Sequence, residues 1–175
     1  LHSLFLTLES HDGQASTTFQ SSTRSGQVSI MASIAGFTPG LVTLDLLPQS
    51  SIRIGLSSEA DTVTLGESLT ITASVYDDAD NFVSTDSSTQ ISFYLTDATS
   101  AFGTIDAGPA TVTNGLVEVT FTTTDISGPV HIVATSDGLE SGVLDLTTVA
   151  EWTTNDIQNS PPQSLYASLL GAPVG

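Results

Sequence analysis

Apolar residues recur at every second position through most of this chain, the period of a β-strand with one buried face. Leu4, Leu6 and Leu8 form the first row, then Ala15, Thr17 and Phe19, then Val28, Ile30 and Ala32, then Val42, Leu44 and Leu46. Polar turns separate the rows at His11-Asp12-Gly13-Gln14, at Ser25-Gly26, and from Gly36 to Gly40 around Pro39. Residues 1–49 therefore read as about four strands, the second half of a β-domain. Alone, such a half exposes its apolar face and its sheet edges, so upstream residues or another chain must complete it. Pro48 to Ser51 is a polar, proline-bearing linker of the kind that marks domain boundaries.

Beyond the linker the alternation runs longer. Ile52, Ile54 and Leu56 lead to Val63 and Leu65, and then to the clearest strand, Leu69, Ile71, Ala73 and Val75. The run Asp77-Asp78-Ala79-Asp80-Asn81 turns the chain. Ile91, Phe93 and Leu95 follow, then a short strand from Phe102 to Asp106, and Ala110 and Val112 before an Asn114-Gly115 hairpin turn. Val117, Val119 and Phe121 point inward, with Glu118 and Thr120 toward water. Val130, Ile132 and Ala134 make the next inward row, with His131 facing outward, and Leu144 and Leu146 close the unit. Seven or eight short strands with turns every 8–12 residues predict a Greek-key β-sandwich over residues 50–149.

The chain contains part of this pattern twice. Shifted by 102 positions, residues 12–44 fall on residues 114–146 without a gap. Gly13 meets Gly115, Phe19 meets Phe121, Gly26 meets Gly128, and Val28, Ile30 and Ala32 meet Val130, Ile132 and Ala134. Turn glycines and inward rows coincide in one register, the mark of a repeated domain with a period near 100 residues. Residues 150–175 do not continue the repeat. They read as a linker and a short amphipathic tail, with Ser160 as N-cap, Pro161 and Pro162 in a first turn, and Leu165 and Leu169 on one face up to Gly171. The predicted fold class is all-β, sandwich repeats followed by a short helical tail.

Charge narrows the functions. Nineteen acidic residues stand against Arg24 and Arg53, with no lysine, for a net charge of −17. Nucleic acid is excluded as a partner because phosphate contacts need a basic footprint, and an anionic membrane surface would repel the chain. Without lysine there is no Schiff-base chemistry and no lysine isopeptide cross-link. There is no cysteine, hence no disulfide staple, which suits bacterial surface proteins better than small animal secreted domains. No apolar run reaches the ~18 residues of a membrane-spanning helix, so no membrane insertion is expected. The chain opens at Leu1 inside a repeat, without a signal peptide, and is read as truncated.

The stretches LTITASVYDDADN, ISFYLT, TNGLVEVTFTTT and GPVHIVATSDG carry a resemblance. Together they resemble the bacterial immunoglobulin-like domain of group 1, the repeat type of invasin and intimin adhesins. The resemblance covers about 100 residues well and residues 12–46 as a partial copy. It implies immunoglobulin-like Greek-key sandwiches, tandemly arrayed as extracellular spacer or adhesion modules. Members of that family have Gly-Asn-Pro at the first turn; here Asp80 stands for the glycine and Phe82 for the proline. In these terms residues 1–49 are the C-terminal half of one repeat, 50–149 a complete repeat, and 150–175 the linker and tail.

The acidic turn is the one candidate metal site. Asp77, Asp78 and Asp80, with Asn81, offer several oxygens at short range, as Ca²⁺ requires. The run departs from an EF-hand loop, with Phe82 at the sixth position and Ser88 at the twelfth, so the readings open are a solvated turn and a looser interdomain Ca²⁺ site drawing on Glu59, Asp61 or Asp137. His2, His11 and His131 are too scattered for a metal cluster. No Gly-x-Ser-x-Gly elbow occurs, and no catalytic or cofactor-binding residue is assigned. Tyr76, Tyr94 and Trp152 could stack on a sugar, or simply pack.

The expectation is a non-enzymatic structural or adhesive repeat module, a stalk or spacer of a longer bacterial surface protein. Its partners are neighbouring immunoglobulin-like repeats in the same or an adjacent chain, and a host or surface glycan or protein. One alternative is a subunit of a self-assembling filament, sheath or virion that shares strands between chains. A second is a carbohydrate-binding accessory module.

Overall fold

The structure, a computed structural model, describes residues 6–105 and 108–151. Those residues carry strands and turns but no helix. The strands are β1 (Gly26–Ala32), β2 (Gly40–Leu46), β3 (Arg53–Ser58), β4 (Thr62–Thr64), β5 (Ser68–Tyr76), β6 (Gln90–Leu95), β7 (Gly103–Ile105), β8 (Ala110–Thr111), β9 (Leu116–Thr123), β10 (Gly128–Thr135) and β11 (Gly142–Val149). The tail predicted around Ser160 to Gly171 lies outside the described residues, as do Leu4, Asp106 and Trp152.

From β3 onward the chain builds a sandwich. A five-stranded sheet in the order β4-β11-β10-β6-β8 faces a four-stranded sheet in the order β3-β5-β9-β7. The chain changes sheet at almost every connection, as an immunoglobulin-like Greek key does. The period-2 rows meet between the layers: Ile71, Ala73, Val75 and Phe121 from one sheet, and Ile91, Val130, Ile132 and Ala134 from the other, are all fully buried. Glu118, Thr120 and His131 lie on outer faces, as their odd register positions require. Burying such rows is worth roughly 25 cal/mol per Å² of apolar surface, which is what closes the two layers.

The hairpins that end the two copies of the repeated stretch fold alike. β1 pairs antiparallel with β2 in the register Val28↔Leu44, Ile30↔Val42 and Ala32↔Gly40. β10 pairs with β11 in the register Val130↔Leu146, Ile132↔Leu144 and Ala134↔Gly142, the same pairing 102 positions on. The preceding turns also match. Asp12-Gly13 and Asn114-Gly115 have φ of 52° and 76°, and of 51° and 80°, the left-handed pair that a two-residue hairpin turn demands.

Their surroundings differ. In the second copy, β6 pairs along β10 and the opposite sheet covers the inward row. In the first, Leu44 stands where Leu146 does, but is 38% exposed against 3%.

Two expectations need correction. Residues 1–49 were expected to hold about four strands; among the described residues they hold β1, β2 and one isolated bridge, His11↔Gln14. Leu6, Leu8 and Phe19 keep the alternating pattern but are exposed, because a strand exists only through a hydrogen-bonded neighbour, and none of the described residues pairs with them. Ile52 was placed in the row of Ile54 and Leu56. It precedes β3 and is 44% exposed, although its N–H donates to Tyr76 O at 2.8 Å and its C=O accepts from Glu140 N–H at 2.7 Å.

Candidate functional site at the acidic turn

β5 ends at Tyr76, and the next five residues fold back on themselves. Asp77 N–H donates to Asn81 O at 3.0 Å, and Asp80 N–H to Asp77 O at 3.2 Å. The bend puts Asp80 at φ 62°, the left-handed region where glycine is the usual occupant. An aspartate tolerates that conformation better than most side chains. Asp80 thus holds a position whose backbone conformation favours glycine.

Asp77 is buried at the centre of this turn, 1% exposed. Its Oδ1 accepts from Ala79 N–H at 2.9 Å, Asn81 N–H at 2.8 Å and the Asn81 amide at 3.1 Å. Its Oδ2 accepts from the same amide at 2.9 Å and from Gln49 N–H, in the linker, at 2.9 Å. Burial alone would raise its pKa. The hydrogen bonds from Asn81, Gln49 and Ala79 outweigh that and lower it from 3.8 to about 2. Asn81 then reaches past the linker to the segment before β1. Its Nδ2 donates to Thr23 O at 2.7 Å, and its Oδ1 accepts from Ser25 N–H at 3.0 Å. One Asp–Asn pair therefore holds three backbone groups of the preceding chain.

A second carboxylate supports the linker from the other side. Asp86 accepts from Ser51 Oγ and Thr89 Oγ1, each at 2.7 Å, and from Ser88 and Thr89 N–H at 3.0 and 3.1 Å. Desolvation works against the charge, but these donors hold its carboxyl well below the usual carboxylate range. Asp86 and the linker residues Pro48 to Ser51 line a shallow open cleft. Beside it Arg53 ion-pairs with Asp80 at 2.8 Å and lies over the Tyr76 ring, 4.3 Å from its centroid.

The three candidate calcium residues are thus placed differently. Asp77 points inward and is surrounded by N–H donors, Asp80 is paired with Arg53, and Asp78 is exposed. Among the described residues no group of three or more His, Cys, Asp or Glu side chains is placed to hold a metal ion. Glu59 and Asp61 stand in the β3–β4 turn and Asp137 in the β10–β11 turn. Of the aromatics, Tyr94 is 47% exposed on the five-stranded sheet, while Tyr76 packs between Arg53 and Phe82. Sequence reasoning located the turn but missed Asn81 as a clamp, because its partners lie 56 and 58 residues earlier.

No protein-family model matches the sequence, and neither does any curated protein. Solved structures do match its fold. A glycosyl hydrolase family 2 member from Bacteroides cellulosilyticus DSM 14838 aligns with a TM-score of 0.53 and 15% identity, over 70% of this chain and 18% of its own. FdeC, an Escherichia coli adhesin, aligns with a TM-score of 0.47 and 23% identity, over 74% of this chain and 42% of its own. The adhesin InvE of Yersinia pseudotuberculosis gives 0.49 and 16%, over 72% and 40%. The chain spans less than half the length of each of these. At such identities the likeness is one of fold.

Proposed function

We propose that this chain is a non-enzymatic structural or adhesive module of a longer, extracellular bacterial surface protein. In it, immunoglobulin-like sandwiches of the invasin and intimin type follow one another as a stalk. The observation that supports this best is the repeated hairpin: β1–β2 and β10–β11 share one register at a separation of 102 residues. Residues 1–49 are then the end of one module, 50–149 the next, and 150–175 the connection onward. A net charge of −17 keeps such modules soluble and apart. Proteins named as adhesins are among the matched chains, and the role proposed is of their kind; the repeat carries it.

The test is limited digestion of intact cells that make the protein, followed by antibody detection of the sandwich. Release of the sandwich without lysis is the expected result. A sandwich that stays protected until the cells are broken would refute an exterior location.

The open face of β1–β2 supports a second reading, in which a neighbouring chain completes it. Val42 and Leu44 are 51% and 38% exposed there. Under that reading the chain self-associates, and static light scattering over a concentration series would show it; a constant monomer mass would remove it.

A further inference from the structure

The clamp of Asp77 and Asn81 grips Thr23 C=O, Ser25 N–H and Gln49 N–H. Each of these groups has a counterpart 102 positions later, at Asp125, Ser127 and Glu151. The backbone carrying the counterparts has the same form. Thr23 and Asp125 both sit at a bend three residues before a strand. Arg24 N–H donates to Ser22 Oγ at 3.3 Å, and Ile126 N–H donates to Thr124 Oγ1 at 3.4 Å, one bond repeated at the same separation. The strands that follow share their register. Yet Asp125, Ile126, Ser127 and Glu151 are exposed, and among the described residues no donor or acceptor meets the three counterpart groups.

We infer that Asp125 C=O, Ser127 N–H and Glu151 N–H form a docking end for the Asp-x-x-x-Asn turn of an adjoining β-sandwich module. The inference rests on the array reading above. The chemistry suits it: an asparagine amide offers one donor and one acceptor, matching a carbonyl and an N–H two residues apart. The aspartate takes the remaining N–H in a charge-assisted bond. All three contacts are to backbone, so the end does not depend on which side chains stand there. Asp125 and Glu151 nevertheless place two carboxylates where the first copy has Thr23 and Gln49. They repel an incoming aspartate, so docking at this end tightens as salt screens them.

The test joins residues 1–151 directly to a second copy of residues 50–149, so that Glu151 takes the place of Gln49. Amide hydrogen exchange is read by NMR at Ser127 and Glu151, against the 175-residue chain as reference. The expected result is slowing by about tenfold or more at both amides, greater at high salt, and lost on Asn81→Ala in the appended copy. A second joint, residues 1–149 followed by 48–149, guards against a badly set connection; there the appended Gln49 takes the place of Glu151, and its amide is read instead. If both copies are folded, with Ile71 and Ile132 protected in each, and the two amides exchange as in the reference, the inference is overturned. It is equally overturned if the appended sandwich folds at neither joint, since a docking end must accept a module. The exterior location proposed above is separable: it stands or falls on digestion of intact cells, whatever these amides do. Asn81→Ala in the 175-residue chain checks the existing clamp by exposing the Ser25 amide, whose acceptor is Asn81 Oδ1.

Discussion

Replacing Phe121 and Phe19 by alanine, one at a time, compares two residues that occupy the same place in the repeated stretch. Phe121 is fully buried; Phe19 is 42% exposed. Phe121 also lies so close to β7 that a Cβ built on Gly103 would stand 2.2 Å from its ring, so the ring fills the space between β9 and β7. Truncating it removes a whole side chain from a closed layer and leaves a cavity, at a cost of about 3–5 kcal/mol. With a urea slope of about 1.5 kcal/mol per M, suited to a small domain, the midpoint should fall by about 2–3 M. Phe19 has water on one side and leaves no closed cavity. Its loss should cost under about 1 kcal/mol, less than the value of fully burying such a side chain. The assay is urea unfolding followed by far-ultraviolet circular dichroism, at a protein concentration low enough to keep the chain dispersed. Equal costs at the two positions would refute the reasoning, because they would mean that the first copy is covered as the second is.

Other outcomes follow from the same contacts. Thr148 is 1% exposed, accepts from Gly128 N–H at 2.9 Å and donates to Ile126 O at 3.1 Å, so Thr148→Val leaves two part-buried backbone groups without this partner and costs about 1 kcal/mol in the same urea assay. Gly103→Ala forces a Cβ into the Phe121 ring and to 2.8 Å from Thr122 O, and should cost about 1–3 kcal/mol in chemical unfolding. Because the folded pKa of Asp77 is lowered to about 2, its stabilising effect is complete above the unfolded value of 3.8 and is lost as pH falls toward 2. Acid titration of Asp77→Asn should therefore show a shallower loss of stability between those values than the parent chain. The N–H donors around Asp77 and the Arg53 pairing of Asp80 leave little for calcium, so millimolar Ca²⁺ should raise the melting midpoint no more than Mg²⁺ does. A rise with Ca²⁺ alone would refute this and show a specific calcium site.

The alternation of apolar and polar positions settled much of this protein before any tertiary contact was considered. Strand faces from Leu69 to Leu146, the turn at Asn114-Gly115 and the repeat at 102 residues are all local facts of spacing and turn chemistry. What spacing cannot decide is which apolar row finds a cover. Val28 and Val130 carry the same signal, yet only Val130 is buried, because burial depends on strands distant in the chain. Leu6, Leu8 and Phe19 read as strand for the same reason and are not, since a strand needs a neighbour that the pattern does not supply. The acidic turn shows the limit most clearly. Its composition suggested a cation, whereas the fold brought Gln49, Thr23 and Ser25 to it and turned Asp77 and Asn81 into a clamp on the backbone. A carboxylate's partners are chosen by three-dimensional proximity, and only the tertiary structure sets that.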